Sequence, residues 1–247
     1  MKKIYFVFLL FTIISCNKED ANDCFQTSGS VITEEINVNE FLKIEVNEGI
    51  NLVVKEGASR EVLVETGSNL INDVEAIVVG ETLILHDHNN CNYVRDYGIT
   101  TIYVTAPNIT EITSKTQFEV RSEGILTFPK LTLTSENFTN DSPASGNFNL
   151  HVQNQEVNIV FNNLSNLFIS GSTELFDINF PGGNPRVEAQ NFAADVVSIF
   201  SRGSNDIIVN PKQEISGDIY STGDVIAVNH PPIVTLIAHY TGRLIFN

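Results

Sequence analysis

The sequence has no apolar run long enough to cross a membrane as a helix. Ile4 to Ile14 is 11 residues, and a spanning helix needs about 20. Positive charge is scarce. Fourteen Lys and Arg stand against 30 Asp and Glu, a formal net charge of −16. A chain this acidic repels phosphate backbones and anionic lipid headgroups, so neither nucleic acid nor an electrostatic membrane dock is expected. A sustained 3.6-residue period is missing too; Leu70 and Val74 share one helical turn and no more. So are the nucleophile and phosphate motifs: there is no Gly-x-Ser-x-Gly, no His-Glu-x-x-His and no Gly-rich phosphate loop. No cofactor is expected. Carboxylates are plentiful, which leaves a glycosidase pair open.

What is present begins at the N-terminus. Lys2 and Lys3 precede the apolar run, which has the length of a secretory h-region. Ile13-Ile14-Ser15-Cys16 resembles the lipobox of bacterial lipoproteins, which implies removal of residues 1–15 and lipidation of Cys16. Acyl chains contribute roughly 0.8 kcal/mol per buried CH₂, and two or three of them hold a protein on a membrane without a spanning segment. Asn17 follows, not the Asp that often retains lipoproteins at the inner membrane. Lys18-Glu19-Asp20 resembles the Lys-acid-acid export signal of Bacteroidota surface lipoproteins. The expectation is an outer-membrane, lipid-anchored protein at the cell surface. Residues 16–30 read as a polar tether. With Cys16 lipidated, Cys24 and Cys91 are left as an even pair in an oxidising compartment, and read as a disulfide tying tether to body. Two free buried thiols are the alternative.

From Val31 the pattern is period two. Ile44 and Val46 alternate with Lys43, Glu45 and Asn47, and Leu52, Val54, Val62 and Val64 continue. Short strand-like runs follow to the C-terminus. The chain has 28 asparagines, a residue suited to tight corners. Small-small-Asp followed by a β-branched residue recurs at Asp206, Asp218 and Asp224, with Asp195 close to the pattern. Asp177 to Asp195 is 18 residues, and so is Asp206 to Asp224; repeats at roughly this period point to stacked coils, each burying an apolar face on its neighbours. The expected fold is all-β, a right-handed parallel β-helix, with a β-sandwich as the alternative.

Phe41 to Gly57, FLKIEVNEGINLVVKEG, contains Gly49-Ile50-Asn51 and resembles the opening of the head GIN domain, the putative auto-transporter adhesin family. Thr101–Ile112 is similar to the family's middle, and Glu214–Pro232 to its closing Gly-Asp repeats. The resemblance spans about residues 41–232 and implies a β-helix-like body on a lipid anchor. It implies no particular ligand. The domain is expected over 31–232, with closing strands over 233–247. The expected role is non-enzymatic, adhesion or binding toward glycans or envelope proteins; a carbohydrate-active β-helix enzyme (lyase or glycosidase) and a structural outer-membrane component are the alternatives.

Three clusters could carry chemistry. His86 and His88 would face the same way on a strand, as two metal ligands require, with Asp87 opposite. The reading taken is a polar strand end, with no metal. Asp206, Asp218 and Asp224 read as corner caps, with calcium as the alternative. Asn92 to Tyr97 places two tyrosines and an arginine beside Cys91, residue types enriched at binding hot spots; an ordered packing loop is the competing reading.

Overall fold

Most stretches in which apolar residues alternate with polar ones form strands. The computed structural model describes residues 23–89, 91–136 and 144–247. Cys16, Lys18, Glu19 and Asp20 lie outside them. Eighteen strands follow in order: β1 (Val31–Glu35), β2 (Lys43–Val46), β3 (Ile50–Glu56), β4 (Glu61–Gly67), β5 (Val74–Val79), β6 (Thr82–Asp87), β7 (Thr100–Ala106), β8 (Glu111–Ser114), β9 (Val120–Glu123), β10 (Lys130–Ser135), β11 (Phe148–Gln153), β12 (Glu156–Phe161), β13 (Asn166–Phe180), β14 (Arg186–Ser201), β15 (Ile207–Ile219), β16 (Val225–Ala227), β17 (Ile233–Ala238) and β18 (Leu244–Phe246). All belong to one hydrogen-bonded sheet. No α-helix occurs among the described residues.

The pairing resolves this sheet into two parallel ladders. The first runs β7–β3–β9–β11–β13–β14–β15–β16–β18. The second runs β6–β2–β8–β10–β12–β13–β14–β15–β17. Strands β13, β14 and β15 serve both, each passing from the first ladder to the second. One coil is therefore two short strands and their corners. Register along the first ladder stacks Phe148, Leu167, Val187, Ile207, Val225 and Leu244. Successive members are 18 to 20 residues apart, the period expected from the aspartates. A strand of four to seven residues cannot bury its apolar side alone, and stacking does it. Burying one such side chain contributes about 1.5–3 kcal/mol.

The core lies between the ladders. Phe161 of the second ladder stacks on Phe148 of the first at 5.1 Å, and on Phe180 at 6.1 Å. Phe176 meets Phe192 edge-on at 5.3 Å. Ile44, Ile112, Leu133, Ile159, Ile178 and Ile199 stack in the second ladder and are all buried. Among the described residues only three pairings are antiparallel: β1–β4, β4–β7 and β5–β6. They close the N-terminal end, β4 and β1 on the first ladder and β5 on the second. The parallel stack excludes the sandwich alternative.

Asparagine forms ladders at the corners. Asn229 Nδ2 donates to Asn210 Oδ1 at 2.8 Å, and Asn210 Nδ2 to the Gln190 carbonyl at 3.1 Å. Of the aspartate repeats, Asp206 and Asp224 are equivalent: Asp224 N donates to Asp206 Oδ1 at 3.2 Å, and Arg243 N to Asp224 Oδ1 at 2.8 Å. Asp218 differs, because its motif lies within the second ladder, opposite Phe200 and Ile237. Coils with two faces can carry similar tetrapeptides on either one. Gly217, in that motif, has φ 117°, and a Cβ there would clash with the Ile199 carbonyl oxygen one coil away.

Candidate functional site

The link between β6 and β7 carries the sequence HNNCNYVRDYGI, polar residues with no alternation. It is held by bonds to distant segments rather than by strand pairing. Cys24 and Cys91 form a disulfide with Cα atoms 4.4 Å apart, as the even cysteine pair implied. Tyr93 N donates to the Cys24 carbonyl at 2.9 Å. The Arg95 guanidinium donates to the carbonyls of Gln26 and Asn89, each at 3.2 Å. Asn92 Oδ1 accepts from Val94 N at 3.2 Å and Arg95 N at 2.9 Å, and its Nδ2 donates to the Arg95 carbonyl at 2.6 Å. This is the self-capping turn chemistry of asparagine. Residues 24–30, the end of the expected tether, lie against the body: Gln26 is buried and donates to the Asn69 carbonyl at 2.8 Å.

The Gly49-Ile50-Asn51 tripeptide holds the far end of this loop. Gly49 has φ 86°, a left-handed conformation that glycine adopts without a Cβ penalty. Its N–H donates to Gln117 Oε1 at 3.2 Å. Ile50 is in the core. Asn51 Nδ2 reaches the Gly98 carbonyl at 3.0 Å and the Thr100 carbonyl at 3.3 Å. Three residue types thus meet three needs: a turn, a core plug and a loop anchor.

So restrained, the loop still projects apolar surface. Tyr93 is 74% exposed, Tyr97 77%, Val94 52% and the adjoining Phe25 53%. Phe25 and Tyr93 lie 5.7 Å apart, ring to ring. Between the loop and the solenoid is a cavity of about 130 Å³, walled by Glu48, Arg95, Asp96, Tyr97, Gln117 and Phe118 among others. Asp87 also lines it but is committed: Oδ2 accepts from Thr100 Oγ1 at 2.6 Å, and Oδ1 from Asn89 N and Nδ2 at 3.0 and 2.7 Å.

His86 and His88 do face the same way, their rings stacked at 5.5 Å, while Asp87 points to Thr100. Their neighbour is Glu75, 3.5 Å from His88 Nε2. Cys91 is taken by the disulfide. No group of three or more His, Cys, Asp and Glu able to hold a metal ion occurs among the described residues. A second, open recess is lined by Glu174 and Asp195, with Gln153 and Ser172 among the other lining residues. Both acids are exposed.

Several cations join coils. Lys43 pairs with Glu111 at 2.9 Å, Lys55 with Glu123 at 2.7 Å, Lys115 with Glu45 at 2.7 Å and Lys130 with Glu156 at 2.7 Å. The hydrogen bond from Lys55 holds the Glu123 carboxyl below its ordinary range, and that from Lys130, helped by Asn158, does the same for Glu156. The Glu111 hydrogen bond raises Lys43. Burial alone raises Glu136.

Sequence reading singled out Tyr93, Arg95 and Tyr97 but missed Phe25, Gln117 and Phe118. They come from separate segments, and no local pattern marks them as neighbours.

The chain matches the family described as putative auto-transporter adhesin, head GIN domain, over residues 40–231. No curated protein matches it in sequence. Among solved structures, a putative adhesin from Bacteroides fragilis superimposes with TM-score 0.77 at 20% identity, covering 90% of this chain and 99% of its own. A putative lipid binding protein from Parabacteroides distasonis gives TM-score 0.62 at 15% identity, covering 89% and 97%. A putative adhesin from Parabacteroides merdae gives 0.55 at 12%, covering 89% and 97%. At these identities the likeness is one of fold.

Proposed function

The chain belongs to the head GIN domain family, and from that membership we propose a non-enzymatic adhesin-like lipoprotein that binds glycans at the cell envelope through its disulfide-pinned loop. The single observation that carries this reading is the exposure of Tyr93 and Tyr97, 74% and 77%, on a loop held by a disulfide and several hydrogen bonds. Exposed aromatics on a mobile loop would lose affinity to ordering. Here that cost is met in folding, so contact area converts more fully to binding. The cavity beneath Tyr97 has the makings of a sugar subsite. Carboxylates of Glu48 and Asp96 and the Gln117 amide would accept and donate to hydroxyls, and the rings of Tyr97 and Phe118 would cover apolar sugar faces.

In this proposal residues 1–15 are removed, Cys16 carries the lipid, and Lys18, Glu19 and Asp20 direct the protein to the surface. The body spans 31–232, with 233–247 as closing strands. Eight residues from Cys16 to Cys24 reach at most about 28 Å, so the loop stays near the outer-membrane surface, where glycans and envelope proteins are dense. Cys16→Ala should abolish palmitate incorporation. Alanine at positions 18–20 should leave lipidation intact and remove accessibility to external protease on intact cells.

A glycan array probed with the full chain tests the binding reading. Binding to a defined glycan class that is lost in Tyr93→Ala and Tyr97→Ala supports it. An envelope-protein ligand engaging the same tyrosines would appear instead as a crosslink from position 97 on cells, with a blank array. Glu174 and Asp195 at one recess favour a second reading, a glycosidase. Both are exposed, whereas the acid of such a pair needs a shielded site to keep its proton. Release of reducing ends from polysaccharides, lost in Glu174→Gln, would establish it.

A further inference from the structure

The two ends of the solenoid are built differently. At the N-terminal end, antiparallel strands cover both ladders. At the other, among the described residues, β17 pairs only with β15 and β18 only with β16, so both ladders present an open edge. The interior is open there as well. Val234 stacks on Ile215, which is fully buried, yet Val234 is 38% exposed; Phe246 stacks on Ala227, likewise buried, and is 37% exposed. On the outer side Ile233, Ile237 and Ile245 are also exposed.

Charge distinguishes this end too. Residues 225–247 contain no Asp or Glu, in a chain of net charge −16; Arg243, His230 and His239 are their ionisable side chains apart from Tyr240. The acids facing them from the coil beneath are engaged. Asp218 contacts His239 Nε2 at 2.6 Å, and Asp224 accepts from Arg243 N at 2.8 Å. Strand β17, IVTLIA, carries neither charge nor proline. Edge strands are usually protected by one or the other.

We propose that this end docks a second copy of the chain, edge to edge about a two-fold axis normal to the sheets. β17 then pairs antiparallel with β17 of the second copy, and β18 with β18. An edge strand always complements itself in this way, because the two-fold reverses strand direction and matches donors to acceptors. Docking covers Val234 and Phe246 and satisfies the open backbone groups. Acid-rich faces elsewhere set like charges against each other when two copies approach; the acid-free end does not.

Sedimentation equilibrium of the full chain in a non-ionic detergent tests it. The expected result is a monomer–dimer equilibrium, with β17 amides exchanging hydrogen more slowly as concentration rises. Thr235 and Ile237 point outward, so Thr235→Lys with Ile237→Lys should leave the circular dichroism and melting of the single copy unchanged. It should weaken the dimer at least tenfold by placing like charges across the two-fold. A monomer at every concentration overturns the proposal. So does a dimer that the folded double variant leaves intact, since association is then acyl-driven or uses another face.

Discussion

Asn51 donates to the carbonyl of Gly98, 47 residues away, at 3.0 Å. One side chain of β3 thus sets the height of the loop that runs from β6 to β7. Asn51→Ala removes this bond and the one to Thr100, leaving partly buried carbonyls without those donors. The expected cost is about 1–3 kcal/mol. Hydrogen exchange should quicken at residues 92–99 and stay unchanged in β13–β15. Equal loosening of both regions would make Asn51 a general fold residue rather than a loop anchor.

The Cys24–Cys91 bond spans a sequence separation of 67. In the chain-entropy account, closing a loop of that length stabilises by about 4 kcal/mol. Cys24→Ser with Cys91→Ser should lower the denaturation midpoint accordingly. Thiol labelling of the unreduced, denatured protein should find neither cysteine reactive; two labelled thiols would contradict the bond.

Phe161 bridges the ladders through Phe148 and Phe180. Phe161→Ala should cost about 3–5 kcal/mol, the usual range for deleting a buried ring. Gly217→Ala tests coil spacing instead of core volume, since its added methyl meets a backbone oxygen. Loss of stability is expected there with no apolar contact removed. A calorimetric melt of each variant decides, and an unchanged Gly217→Ala midpoint would show that neighbouring coils separate readily.

Acid should weaken the stack. Glu123 and Glu156 are held below their ordinary value of 4.5 by hydrogen bonds from Lys55 and Lys130. A depressed carboxyl contributes stability that is present above its unfolded value and is lost as pH falls through the folded value. The loss therefore begins near 4.5 and continues below it. Glu136, raised by burial, acts in the opposite sense: its contribution is present below 4.5 and is lost as pH rises through its higher folded value. Melting temperature should fall with acid below pH 4.5, and Lys130→Gln should flatten part of that fall. The exposure of these pairs keeps each contribution small. A slope identical in wild type and variant would leave Glu156 without a role in it.

Strand identity was legible because alternation is local. Ile44, Leu52, Val104 and Leu133 could be placed inward from their neighbours alone, since a strand turns successive side chains to opposite faces. The spacing of Asp206 and Asp224 likewise carried the coil length, because equivalent corners recur once per turn. The cysteine count pointed to the disulfide, once Cys16 was set aside as the expected lipid site and an oxidising compartment was expected.

Which coil face a motif occupies was not legible. Asp218 matches Asp224 in sequence, yet one lies within a strand of the second ladder and the other at a corner, a difference set by how many residues the chain spends before turning. The loop site depended on tertiary structure still more. Tyr97 and Phe118 line one cavity because β3 lies between β7 and β9, and Phe25 reaches Tyr93 because the disulfide draws Cys24 to Cys91. The open C-terminal end was equally invisible: β17, IVTLIA, is as apolar as a covered strand, and whether a further strand covers it is decided by stacking, which residues within one strand do not encode.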